Sequence, residues 1–137
     1  MSDREPPPPG AAATVIRPAH FPGRAPVDAY GNGGFRFAQM SHRGSILCVP
    51  SGIYGWDVTE PDGVGSDTLS RVLNEAKSIE VLLVGTGTDL RPLPDALRAT
   101  LREAGISSDS MSTGAAVRTF NVLLSEERAV AAALIAV

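Results

Sequence analysis
Short apolar runs separated by glycine and proline fill the first half of the chain, and helix-period stripes enter only after residue 65. Val27–Tyr30 and Phe35–Ala38 flank Gly31-Asn32-Gly33-Gly34. An Asn-Gly pair between two such runs predicts a β-hairpin, because both residues accept the positive φ of a type I′ turn. Gly44–Val49 (GSILCV) reads as a third strand closed by Pro50-Ser51-Gly52. Ile53–Val58, which carries Trp56, reads as a short strand or an irregular edge. Thr14-Val15-Ile16, before Pro18, is a candidate first edge strand. This half is therefore mostly antiparallel β.

The period then changes. Leu69, Val72, Leu73 and Ala76 fall at i, i+3, i+4 and i+7, one face of a helix that Ser66 or Asp67 can cap. Ile79–Val84 (IEVLLV) is short and apolar, a buried strand. Pro94–Ala104 predicts a second helix, with proline in its first turn, Leu97 and Leu101 on one face, and Gly105 as terminator. Ile106–Met111 is a weaker strand. Thr113–Ser125 is a third helix with Ala116, Phe120, Leu123 and Leu124 inward. Ala129–Val137 reads as a final buried strand, although its alanines also allow helix. Strands alternating with helices over short links favour right-handed crossovers and a parallel or mixed sheet covered by helices.

Composition narrows the class. With 137 residues, one domain is expected. Seven of the 11 prolines lie in the first 26 residues, so residues 1–13 read as a disordered tail and 14–137 as the domain. The tail is a flexible leader or a proline-rich docking peptide. A net charge of -3 argues against a dedicated nucleic-acid binder. The N-terminus has no apolar segment resembling a secretory signal. The longest apolar run, Ala129–Val137, is too short to span a bilayer, which needs about 20 helical residues. A cytoplasmic protein without direct membrane insertion is expected.

Chemistry-bearing patterns are sparse. The single cysteine, Cys48, lies inside an apolar run and reads as a buried, inert thiol. His20 falls in the tail and His42 in a loop, with no ligand spacing that suggests a metal. Glu103, Asp109, Glu126 and Glu127 fall at helix ends and links, where solvation explains them. Gly85-Thr86-Gly87-Thr88 follows a buried strand and is a structural turn, a small-anion or small-ligand site, or a nucleotide site. Leu90 stands where a dinucleotide fingerprint needs its third glycine, and Pro92 and Pro94 delay the next helix. Ser112-Thr113-Gly114 opens the third helix, where a hydroxyl can satisfy an orphan backbone donor or an anion can dock. Gly114, Arg118, Asn121 and Ser125 share a helical stripe that is either a solvated face or a ligand or partner site.

Several segments together resemble one family. They are Tyr30-Gly31-Asn32-Gly33-Gly34-Phe35-Arg36-Phe37, Gly44-Ser45-Ile46-Leu47, Pro50, Gly52, Trp56, Gly85-Thr86-Gly87, Met111–Ala116, Arg118–Asn121 and Glu126–Leu134. Their order and spacing resemble a family of small proteins long catalogued as a domain of unknown function. That family includes the mitochondrial NADH dehydrogenase (ubiquinone) 1 alpha subcomplex assembly factor three. The resemblance covers about residues 14–137. It implies a three-layer α/β domain with a central mixed β-sheet, helices on its faces and a β-hairpin extension. It implies no established enzyme activity and no cofactor. The alanine- and proline-rich style, with Asp3 and Glu5 in the leader, is similar to a bacterial cytosolic member rather than a mitochondrial one.

Two functions follow as expectations. The first is a non-catalytic interaction or assembly module that binds a protein partner near the inner membrane. The second is a small-molecule or anion binder, or an undescribed enzyme. It would use a cleft between the Gly85–Thr88 loop and the helix that starts at Thr113. The candidate binding residues are Gly85, Thr86, Gly87, Thr113, Gly114, Arg118 and Asn121.

Overall fold
Side chains on a strand alternate between faces, so a strand buried on both faces must be apolar throughout. Three segments come close to that condition: β5 (Ser45–Val49), apolar but for Ser45, whose buried hydroxyl accepts from the Ala136 amide at 2.9 Å, β7 (Val81–Gly85) and β9 (Val130–Leu134). They form the middle of a six-stranded sheet in the order β1-β6-β5-β9-β7-β8, with β1 at His20–Pro22, β6 at Gly52–Trp56 and β8 at Ser107–Met111. The computed structural model describes residues 20–137. The proline-rich tail and the candidate strand Thr14-Val15-Ile16 lie outside those residues.

The sheet is mixed. β1, β6, β5 and β9 run antiparallel to their neighbours, and β9, β7 and β8 are parallel. One face buries Leu47, Leu82, Val84, Ala131 and Ala133 beneath α1 (Ser70–Asn74) and α2 (Asp95–Glu103). The opposite face buries Ile46, Cys48, Leu83, Ala132 and Leu134 beneath α3 (Thr113–Ser125) and a second, smaller sheet. The result is a three-layer α/β domain.

The expected hairpin forms the start of that smaller sheet, as β2 (Val27–Gly31) and β3 (Gly34–Phe37). Asn32 and Gly33, at φ 53° and 79°, make the two-residue turn. The hairpin also carries a third strand, β4 (Met40–Arg43), where the sequence predicts a loop around His42. Its turn is built from Ala38 and Gln39, both at positive φ, without the glycine or asparagine that marks such turns. His42 is therefore a strand residue, paired with Phe35 and only 7% exposed. Asp109 likewise lies inside β8 rather than in a link, and His20 opens β1, paired with Tyr54, rather than falling in the tail.

The first helix differs from its expected form. It has five residues, and its N-cap position is Leu69, not Ser66 or Asp67. Thr68 takes over the local polar groups: its hydroxyl accepts from the Gly65 amide at 2.9 Å and donates to the Gly63 carbonyl at 2.8 Å. At the other end a 3₁₀ turn, Ala76–Ser78, replaces further α-helix. The apolar stripe still faces inward, with Leu69 and Val72 fully buried. The second and third helices lie where periodicity places them, and Gly105 at φ 88° ends α2.

Candidate functional site
The Gly85–Thr88 loop leaves the C-terminal end of β7, and α3 starts directly after the neighbouring strand β8. That topology brings Gly85, Thr86, Gly87, Thr113 and Gly114 together. Their polar groups, however, are used on one another. The fully buried Thr113 hydroxyl donates to the Ile135 carbonyl at 2.7 Å and accepts from the Gly87 amide at 3.0 Å. The Thr113 amide donates to the Gly87 carbonyl at 2.8 Å. Thr86, also buried, donates its hydroxyl to the Asp89 carbonyl at 2.7 Å and accepts from the Arg91 amide at 3.0 Å. Gly85 is required by closeness: a Cβ there would lie 2.9 Å from the Thr113 Cα.

Hydrogen bonds thus bridge the loop and the helix start at the place where a cleft was expected. A cavity of about 260 Å³ does border the loop, walled by Thr86–Asp89, Arg91, Pro61 and Ile135–Val137. None of its walls comes from α3. The helix N-terminus is capped from within, because the Ser112 hydroxyl accepts from the Ala115 amide at 3.3 Å.

The stripe on α3 divides into different uses. Gly114 lets Tyr30 of β2 lie against the helix, since a Cβ there would stand 2.5 Å from the Tyr30 hydroxyl oxygen. Asn121 grips β2: its Oδ1 accepts from the Val27 amide at 2.9 Å and its Nδ2 donates to the Val27 carbonyl at 2.8 Å. Ser125 donates its hydroxyl to the Val122 carbonyl at 2.7 Å. Arg118 is exposed. Tyr30 and Val122 stay accessible beside it, at 42% and 54% exposure. At helical spacing, Arg118 stands between the Tyr30–Gly114 contact and Val122. An aromatic, a guanidinium and an aliphatic side chain therefore share the outer edge of α3. Sequence periodicity named Arg118 but not Val122 or Tyr30. Phe120 and Val117 are buried and fix the inward face, and that pattern already places Val122 outward.

Burial governs the two groups with chemical reactivity. Desolvation pushes the Cys48 thiol up to about 12, so it stays protonated. Desolvation also pulls His42 below its ordinary value, against a smaller opposing effect of its hydrogen bond with the Ser45 backbone. Among the described residues no three His, Cys, Asp or Glu side chains gather to hold a metal. Among them, too, no helix is long and apolar enough to cross a membrane.

Residues 27–135 match the family described as "Protein of unknown function (DUF498/DUF598)". An uncharacterized protein of Rhodobacter capsulatus is 39% identical over 115 residues, 84% of this chain and 87% of that protein. The NADH dehydrogenase (ubiquinone) 1 alpha subcomplex assembly factor 3 of Xenopus tropicalis is 31% identical over 109 residues. That match covers 80% of this chain and 60% of the assembly factor, so this chain spans less than two-thirds of that relative. A crystal structure described as an outer membrane protein from Bartonella henselae is 70% identical, with a TM-score of 0.82, over 85% of this chain and 98% of that one. With the match running from β2 to the end of β9 and the same α/β layers in a solved relative, the chain belongs to the DUF498/DUF598 family, which includes complex I assembly factors among its relatives.

Proposed function
We propose that this chain is a non-catalytic interaction module that helps to assemble a respiratory NADH dehydrogenase. It works from the cytoplasm by binding a protein partner at the inner membrane. The observation that carries this reading is the similarity to an assembly factor of that complex over 80% of the chain. Surface chemistry supports it. Of the exposed large apolar side chains among the described residues, Tyr30 and Val122 both flank Arg118 on α3. Tyrosine and arginine are enriched at protein interfaces, because each combines apolar contact with directional hydrogen bonding. Gly85, Thr86, Gly87, Thr113 and Asn121 contribute by holding α3 in place, and Arg118 meets the partner.

The test is genetic and biochemical. In a native host that makes the complex, deleting the gene lowers the amount of assembled NADH dehydrogenase in membranes. The wild-type chain restores it, and a chain carrying Arg118→Glu with Val122→Asp does not, although that variant folds. A deletion strain with undiminished assembled complex ends this reading.

A second reading rests on the cavity beside the Gly85–Thr88 loop, where Thr88 and Arg91 border about 260 Å³. A small anion would sit there. A thermal-shift titration with phosphate and short carboxylic acids decides it, since ligand at 100 times its dissociation constant adds about 2.7 kcal/mol. A flat melting temperature across the series rejects it.

A further inference from the structure
The outer face of the three-stranded sheet carries two arginines over a bare floor. Strand register sets two rows across it, Ala29–Arg36–Ser41 and Gly31–Gly34–Arg43. Phe35 and Phe37 point into the core, so the residues alternating with them face solvent. Arg36 and Arg43 are both exposed and stand diagonally on this face. Gly34 and Ser41 occupy the other two corners of the square they make, and Gly31 continues the bare backbone beyond Gly34. The bare floor is enforced at Gly34, where a Cβ would run into the His42 carbonyl oxygen. The trough so formed has a volume of about 450 Å³.

Charge is unbalanced there. Among the described residues the ion pair that forms is Arg128–Glu80, and neither Arg36 nor Arg43 has a carboxylate partner. Like charges on one sheet face repel, so an anion laid across the trough relieves a cost that the empty face carries. The spacing selects the shape of that anion. Diagonal positions on a sheet lie about 7–8 Å apart. In an extended peptide, side chains on one side recur every second residue, about 7 Å apart. Each guanidinium offers a planar fork that matches a carboxylate with two parallel hydrogen bonds.

We propose that this trough docks an extended acidic segment of a protein partner, with carboxylates at positions i and i+2 paired to Arg36 and Arg43. The Ser41 hydroxyl, opposite Arg36 in the register, faces the same segment. Tyr30 borders both surfaces, but neither Arg118 nor Val122 lines the trough, so variants of Arg36 and Arg43 test this inference separately from the assembly reading.

The probes are two heptapeptides of equal charge, Gly-Ser-Asp-Gly-Asp-Ser-Gly and an isomer with its two aspartates adjacent, together with inorganic phosphate. Binding is followed at low ionic strength, where charge pairs are least screened, by NMR of the arginine Nε–Hε groups and the backbone amides. The spaced peptide shifts the Gly31 and Gly34 amides and both arginine signals, and it binds more tightly than its isomer. Arg36→Gln and Arg43→Gln each weaken it by about tenfold. Ala29→Glu places a competing carboxylate beside Arg36 and also weakens it, with the amide spectrum otherwise unchanged. Equal affinity for the two peptides, the same pattern of shifts with phosphate, or unchanged binding by the arginine variants overturns the proposal.

Discussion
Asn121 shows how one polar side chain can replace a strand partner. Val27 has both main-chain groups bonded to the Asn121 amide, as a neighbouring strand would bond them. The β2–β3 register shifts between Val27 and Ala29, so Val27 and Tyr30 both reach the inner face despite their odd spacing. The clamp therefore sits beside a bulge, where the ladder is least regular. Removing it strands a donor and an acceptor, each costing about 1–3 kcal/mol where water cannot replace the partner. Asn121→Ala should lower unfolding stability by about 2 kcal/mol, read as a shift in urea midpoint. Arg118→Ala, an exposed change, should stay within about 0.5 kcal/mol. Similar losses for the two would show that the Val27 bonds contribute little.

His42 adds a pH dependence at the same scale. Burial favours its neutral form, so the folded-state value lies below the unfolded one. The unfolded chain then binds the extra proton first. The stabilisation is complete above the ordinary histidine value of about 6.5 and is lost as pH falls through that value towards the folded one. Urea midpoints of the wild type should drop between neutral pH and mildly acidic pH by more than those of His42→Gln. Parallel pH profiles for the two proteins would remove His42 as the cause.

At the scale of elements, the residues that announced themselves were those with strong local chemistry. Asn32-Gly33 marked its turn, Gly105 ended its helix, and the unbroken apolar runs of β5, β7 and β9 marked the sheet centre. β4 was hidden because tertiary packing holds Ala38 and Gln39 at φ 48° and 64° against their own preference. α1 is shorter than its apolar stripe predicts because the chain leaves the helix after Asn74. There the Glu75 carboxylate turns to accept from the Ser51 amide and hydroxyl at 2.9 and 2.6 Å. The candidate site was legible as a set of neighbours but not as a network. Spacing shows that Thr113 and Gly87 both lie at strand ends, whereas their mutual hydrogen bonds depend on distances no sequence pattern carries. The strained turn gives a direct check. A left-handed non-glycine residue costs about 1–2 kcal/mol, partly offset by the flexibility that glycine adds to the unfolded chain. Gln39→Gly should raise stability by several tenths of a kcal/mol to about 1 kcal/mol. A loss of stability in thermal melts would mean the Gln39 side chain contributes more than its backbone strain removes.

For the whole molecule, β9 is the strand on which both halves depend. It joins the antiparallel half through β5 to the parallel half through β7, and all five of its residues are buried. Ala131, Ala132 and Ala133 are wholly covered, with successive side chains facing opposite layers. The small side chain of Ala132 lets α3 approach the strand closely, which favours alanine there despite its weak β preference. Its amides should exchange with solvent only through global unfolding, whereas those of the small sheet should open earlier through a smaller event. The small sheet is tied to α3 by the Asn121–Val27 pair, so that clamp sets how independently it opens. Native-state hydrogen exchange in low denaturant separates the two processes. In Asn121→Ala, protection should fall first at Phe35 and His42, a hydrogen-bonded pair of the small sheet, and beyond the drop in global stability, while β9 follows the global value. Ala132→Leu should act in the opposite way, lowering protection everywhere together as overpacking costs about 1–3 kcal/mol. If Asn121→Ala lowers both regions equally, the small sheet and the central sheet unfold as one unit. The arginine-bearing face would then be a rigid extension of the core.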